Sequence, residues 1–228
     1  LAKLPSDGLP YPLFTYTALI PWTFFSTATQ GSVGSLVSQM GVISKVYFPR
    51  LVIPVSAIFV GLVDLLVSSV ILLGMMIGYG FLPTWKVALV PLYVLLAAAT
   101  ALAVGLWNAT LAVRFRDLKF VTQHGIRVWM YATPVAYSAS LIPERWATLY
   151  RMNPMFWVIE GFRWALLGKG QPPEPLMVIP VVGVLLLLIS ADSVSLRSGW
   201  TRVAVRVIGS WVVAVGMLMF GWLFRGAV

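Results

Sequence analysis

Seven carboxylates, one histidine and no cysteine are spread over 228 residues, so few catalytic constellations can be assembled from this chain. His124 has no second histidine with which to hold a metal, and the lack of cysteine removes thiolate ligands and nucleophiles. No loop gathers a pair of acids for general acid–base work. The phosphate-cradling pattern GxxxxGK[ST] is also missing: Gly168-Lys169 comes nearest, without the upstream glycine or the hydroxyl. A membrane-embedded transferase or phosphatase would need an acidic or histidine cluster in a loop, and the sequence supplies none. What remains is charge in apolar surroundings. Lys45 and Arg50 sit with Pro49 inside VISKVYFPRLVIP (42–54) with no acid to pair them, Arg114, Arg116, Asp117 and Lys119 crowd VRFRDLKFV (113–121), and Asp64 stands alone in a long apolar run.

The elements that hold these groups follow from composition. The chain is 60% hydrophobic and 10% charged, where a soluble domain carries about a quarter charged residues. Its mean hydropathy is +0.91. Too few polar residues exist to coat a soluble surface, and the pattern predicts an all-α polytopic membrane protein with five to six spans. Apolar stretches fall at 11–34, 51–79, 87–112, 126–142, 176–191 and 207–224. The net charge of +9 lies mostly in the gaps between them, where it reads as a topology signal rather than a nucleic-acid surface. By the positive-inside rule the 35–50 and 113–125 gaps face the cytoplasm, which puts 1–10, 80–86 and 142–175 outside.

The outer stretch LIPERWATLYRMNPMFWVIEGFRWALLGKG cannot span, yet it carries helix signals. Pro143-Glu144 predicts one helix start, Asn153-Pro154 a second, and Gly168 a stop. These helices reach only ~15 and ~21 Å, so they are expected to lie in the interface or re-enter the bilayer with Trp146, Trp157 and Trp164 at headgroup level. A solvent-exposed helical hairpin is the plainer alternative. In 113–121, Phe115, Leu118 and Val121 form one face of a short amphipathic helix, which either lies on the lipid surface or offers a handle to a partner. Asp64 is expected to meet a hydrogen-bond or ion-pair partner on a neighbouring span, because an ionisable group at that depth costs at least ~2.5 kcal/mol. Gly74 and Gly78 permit close helix packing. The sequon at 108–110 falls at a cytoplasmic span end and is discounted. Trp22, Phe24, Phe25, Tyr131 and Tyr137 fall within spans; each is either a packing residue or part of an aromatic lining that would suit a glycan.

Taken together, GLPYPLFTYTALIPWTFF, VISKVYFPRLVIPVSAIFVGLVDLLV, AVRFRDLKFV and NPMFWVIEGFRWALLG resemble the permease subunit of type-2 ABC exporters for polysaccharides and polyol phosphates, the O-antigen, teichoic acid and capsule type. The likeness runs from residue 1 to about 190. It implies a homodimer of permeases with two cytoplasmic ATPase subunits, which bind ATP and Mg while this chain holds no cofactor. It also implies a lipid-linked glycan threaded through the bacterial inner membrane. On that likeness Ser44, Lys45, Tyr47, Phe48 and Arg50, with Arg114, Arg116, Asp117 and Lys119, would contact the ATPase. Pro143, Trp146, Asn153, Pro154, Glu160 and Arg163 would belong to an outer re-entrant gate. The family's amphipathic helix and first span are missing, so residues 1–191 are expected to be a transmembrane domain truncated at its N-terminus. Residues 192–228 depart from the family pattern and read either as an extra apolar helix or as a shifted reading frame. The competing functions are a type-2 permease for a drug or small amphiphile, and an ion-coupled secondary transporter, which would bring inverted repeats and more intramembrane charges.

Overall fold

A computed structural model describes residues 8–38, 52–81, 84–112 and 117–195. The two long apolar runs in the middle of the sequence form helices, as their hydropathy requires. Helix α2 covers Val52–Gly78 and α3 covers Val90–Ala112, the latter entered through a 3₁₀ turn at Trp85–Leu89. Stretches within these elements, Val55–Gly78 and Trp85–Asn108, are each long and apolar enough to cross a bilayer. Helix α1 spans Tyr11–Ser38, four residues beyond the predicted stretch, and Pro21 falls inside it without ending it, as membrane helices tolerate. Several serine and threonine hydroxyls in these apolar helices bond one turn back. Thr17 donates to the Leu13 carbonyl (2.8 Å), Ser32 to Ala28 (2.7 Å) and Thr100 to Leu96 (2.8 Å).

Small residues set how closely the helices approach. A Cβ on Gly31 would stand 3.0 Å from that of Ala57, and one on Gly61 would stand 3.0 Å from the Phe24 ring, so α1 and α2 meet nearly backbone to backbone. A Cβ on Gly105 would fall 2.7 Å from that of Ser32, which brings α3 equally close to α1. Helix α1 is therefore the centre of the bundle, with α2 and α3 its main neighbours. The predicted GxxxG pair behaves otherwise: nothing lies within 4 Å of a Cβ on Gly74 or Gly78, so that motif packs no helix among the described residues.

The 113–142 region differs from expectation. Of the amphipathic helix expected at 113–121, residues 113–116 lie outside the described residues and 118–121 open a longer helix, α4 (Leu118–Tyr131), which gives way to turns through residue 137 in place of a span at 126–142. Pro134 disfavours helical geometry at the residue before it and offers no N–H of its own, which favours a break in the apolar run here. At about 1.5 Å per residue, α4 reaches only ~21 Å and does not cross a bilayer alone.

Helices α5 (Glu144–Arg151) and α6 (Pro154–Leu167) begin where Pro143 and Asn153-Pro154 predicted. Asn153 caps α6 by accepting from the Met155 N–H (3.0 Å), and Gly168 ends it at φ 68°, a left-handed position suited to glycine. Helix α6 is not a surface element. Nearly all its residues are buried against α1 and α3. Trp157, expected at headgroup level, is fully enclosed and donates its indole N–H to the Arg151 carbonyl (2.7 Å), whereas Trp146 is exposed and Trp164 half-buried. A 3₁₀ turn at Pro175–Met177 leads into α7 (Val178–Ser195), which lies along α3 and accepts the Trp107 indole N–H at Ser190 Oγ (3.1 Å). The predicted run at 207–224 lies outside the described residues.

Candidate functional site

The segment after α4 runs within the apolar bundle, beside the first half of α1. Trp129, near the end of α4, stacks edge-on against Phe25 at 5.2 Å between ring centroids. Phe25 is 14 residues, or ~21 Å, along α1 from its start. From there the chain climbs back toward the beginning of α1, where the Tyr11 hydroxyl donates to the Ala136 carbonyl (3.4 Å). Non-helical backbone in such surroundings survives only where protein or trapped water satisfies its polar groups. Here the donor is Arg163 of α6, which is 1% exposed. Its Nη2 donates to the Val135 carbonyl (2.8 Å), and its Nη1 to those of Pro134 (2.8 Å) and, more distantly, Tyr137 (3.4 Å).

The arginine's charge is balanced one helical turn away. Glu160, 2% exposed, accepts from Arg163 Nη1 at 2.9 Å through Oε1, while its Oε2 accepts the Gln171 N–H at 3.1 Å. The ring of Phe14 in α1 lies beneath the guanidinium at 3.7 Å, a cation–π contact removed from solvent. The turn that presents Gln171 depends on Gly170 at φ 104°, where a Cβ would stand 2.8 Å from the Glu160 carbonyl oxygen. Asn153 adds a tie from the other end of α6, its Nδ2 donating to Thr133 Oγ1 (2.9 Å).

These ties build one wall of a cavity of about 700 Å³ between the end of α4, the 132–143 segment, α5 and the start of α6. Its size falls within the range of ordinary ligand sites, about 300–1,000 Å³. Four aromatic side chains line it, Trp129, Tyr137, Trp146 and Tyr150, along with Pro143, Asn153 and Pro154. The Tyr137 hydroxyl donates to the Tyr131 carbonyl (3.0 Å) and lies 3.4 Å from that of Tyr150. Flat apolar faces with hydroxyl and indole handles suit a ligand that has both C–H surfaces and hydroxyl groups.

The sequence-predicted residues are thus distributed unevenly. Tyr137 from the aromatic set and Pro143, Trp146, Asn153 and Pro154 from the gate set meet around this one cavity, while Glu160 and Arg163 brace it from behind. Tyr131 is exposed beside it. Trp22, Phe24 and Phe25 are buried in the helix core, so the packing alternative accounts for them: Phe24 fills the space over Gly61, and Trp22 stacks on Phe25 at 5.4 Å. Asp64 is exposed on α2, and among the described residues it makes no hydrogen bond or ion pair, so the partner expected on a neighbouring span is not there. Asp117 is exposed at the start of α4, and Lys119 lies in its first turn. Ser44, Lys45, Tyr47, Phe48, Arg50, Arg114 and Arg116 lie outside the described residues. Sequence reading did not single out Trp129 or Tyr150, nor the grip of Arg163 on the 134–137 carbonyls. One available signal was Pro134 inside a presumed span; another was the i, i+3 spacing of Glu160 and Arg163 in an otherwise apolar helix.

Known proteins share this arrangement of sequence. Residues 4–167 match the model of the ABC-2 type transporter family. An O-antigen export system permease protein, RfbA, of Myxococcus xanthus is 33% identical over 181 residues, covering 78% of this chain and 69% of the relative. A protein of the same name from Klebsiella pneumoniae is 26% identical over 183 residues, covering 78% and 70%. The inner membrane transport permease YadH of Escherichia coli K12 is 32% identical over a shorter 102 residues, 45% of this chain and 38% of the relative. Helices of spanning length and a family match across most of the chain agree: this is an all-α membrane protein of the ABC-2 type transporter family.

Proposed function

We propose that the chain is the permease subunit of an ATP-driven exporter that carries a lipid-linked polysaccharide across the cytoplasmic membrane of a bacterium. The observation that carries the reading is the aromatic cavity at the end of the bundle where α1 and α3 begin, the outer end under the positive-inside assignment. The names of the RfbA relatives supply the substrate class, and the stacked faces of Trp129, Trp146, Tyr137 and Tyr150 match the alternating C–H and hydroxyl character of a sugar chain. ATP and Mg belong to a separate cytoplasmic ATPase, two copies per transporter, contacted through Ser44, Lys45, Tyr47, Phe48 and Arg50 and through Arg114, Arg116, Asp117 and Lys119. The permease works as a homodimer. Support for that comes from Asp64: an ionised carboxylate facing lipid at that depth costs at least ~2.5 kcal/mol, so its face of α2 meets protein or water once the transporter is assembled.

The test is co-expression of the permease with the ATPase encoded beside it, followed by reconstitution in vesicles. ATP hydrolysis should rise when the lipid-linked glycan is added. Failure of the two proteins to associate would sink the reading, and stimulation by small amphiphiles but not glycan would redirect it to the drug-permease alternative.

A further inference from the structure

Arg163 touches more of the distal assembly than its role as a carbonyl donor requires. Its guanidinium joins α6 to the 134–137 backbone and lies on Phe14, which belongs to the second turn of α1. Tyr11, in the first turn of α1, reaches the same segment at Ala136. Glu160 extends the grip to the 170–171 turn through Gln171, and Asn153 ties the start of α6 to Thr133. The walls of the cavity are thereby fastened to one another and to the beginning of one helix. That helix continues unbroken for 28 residues to Ser38, or ~42 Å, next in sequence to the 39–50 stretch that carries Lys45 and Arg50.

We propose that Arg163 is a positioning residue that latches the cavity walls, residues 132–171, onto α1, so that α1 and those walls move as one body. Resting on the permease reading above, this makes α1 the rod by which a movement imposed at its far end reaches the cavity. A buried polar network stiffens the groups it joins, here through both terminal guanidinium nitrogens and both Glu160 oxygens, and packed helix contacts switch between discrete arrangements rather than deforming continuously. A cavity wall hinged freely against α1 would absorb the movement; one latched by a guanidinium with four oxygen partners transmits it. The latch is polar in an apolar bundle, so it also fixes a single register between α6 and the 134–137 backbone, which apolar packing alone would leave free to slide.

The chain has no cysteine, so introduced thiols are unique. Spin labels at Pro12→Cys and Ala136→Cys, both exposed positions that leave the Tyr11 hydroxyl in place, report the α1-to-wall separation through dipolar broadening. In the purified permease the expected result is one narrow separation. R163K, which keeps the charge beside Glu160 but lacks the fork needed for several carbonyls, is expected to broaden it. In the permease–ATPase complex the wild-type separation is expected to stay the same with and without ATP. Export per ATP hydrolysed is expected to fall about tenfold in R163K while ATP hydrolysis itself persists. A separation that changes with ATP, an R163K distribution identical to wild type, or an unchanged export-to-hydrolysis ratio overturns the latch. The permease-alone comparison needs neither ATPase nor glycan, so a failure of the permease reading is seen separately, as loss of association or of glycan stimulation.

Discussion

Replacing Arg163 with methionine keeps much of the side-chain volume and removes every polar contact of the guanidinium. Glu160 is then left 2% exposed without its counter-charge, and the carbonyls of Pro134 and Val135 lose their 2.8 Å donors. Breaking a buried ion pair from one side costs about 3–5 kcal/mol, because the surviving charge stays buried. Replacing Glu160 with glutamine removes the charge from the other side. The guanidinium still holds three carbonyls and the amide oxygen still accepts, so the cost falls to roughly 1–2 kcal/mol. In the double variant no carboxylate is buried unpaired. It should therefore be less damaged than the sum of the singles by roughly 2 kcal/mol, the scale of coupling seen between groups in one network. Soluble proteins of this size lose about 2–4 °C per kcal/mol. On that scale R163M lowers the midpoint by about 6–20 °C, E160Q lowers it by less than half as much, and the double variant melts no lower than R163M. The assay is heating in detergent followed by size-exclusion recovery of monodisperse protein. Strict additivity of the two singles, or an E160Q variant as damaged as R163M, refutes the assignment of Glu160 as the counter-charge and Arg163 as the hub.

Four further outcomes follow from particular positions. Gly161→Ala should destabilise by about 1–2 kcal/mol: its Cβ would collide with the buried Tyr93 ring, an overpacking cost larger than the helix propensity gained. Gly183→Ala in α7, where nothing lies within 4 Å, should be neutral or stabilising by up to ~1 kcal/mol in the same melting assay. Trp146→Ala, at an exposed cavity position, should raise the glycan concentration needed for half-maximal ATPase stimulation about three- to tenfold, the equivalent of ~0.7–1.4 kcal/mol of stacking, with thermal stability unchanged. Reversing the charges with Lys45→Glu and Arg50→Glu should abolish export while membrane insertion and permease association, read by blue-native electrophoresis, persist; export at the wild-type rate would mark this stretch as a plain turn.

Local chemistry was the most legible part of the sequence. Asn153-Pro154, Pro143-Glu144 and Gly168 each announce a helix boundary by a rule that acts within a few residues, and each boundary stands where the rule puts it. The long apolar runs are equally plain, since α2 and α3 need only their own hydropathy. Position relative to other helices is what a hydropathy window cannot see. The 126–142 run is apolar enough to pass for a span, yet the helix breaks before Pro134, and the donors that make this bearable come from a residue 26–29 positions later. Trp22, Phe24 and Phe25 looked available to a ligand because nothing in their own stretch reveals that Gly61 and Trp129 will close over them. Trp157 carries the amphipathic signature of an interface residue; its indole N–H finds its acceptor inside the fold instead.

The short α4 with its unwound continuation has a consequence for how the protein is made. A ~21 Å helix followed by bare carbonyls is a poor candidate for release into lipid on its own. Helix α6, with a carboxylate and a guanidinium one turn apart, is no better, since charged groups in a short apolar helix resist partition from the translocon. Each half neutralises the other's defect: Arg163 caps the carbonyls, and the 134–137 backbone surrounds the charge. Residues 118–171 should accordingly leave the translocon together, once the ribosome has delivered the turn containing Gln171, rather than helix by helix. This stretch should then behave as a unit of biogenesis, and point defects in Arg163 or Glu160 should lower the yield of inserted protein in addition to any effect on the chains that do insert.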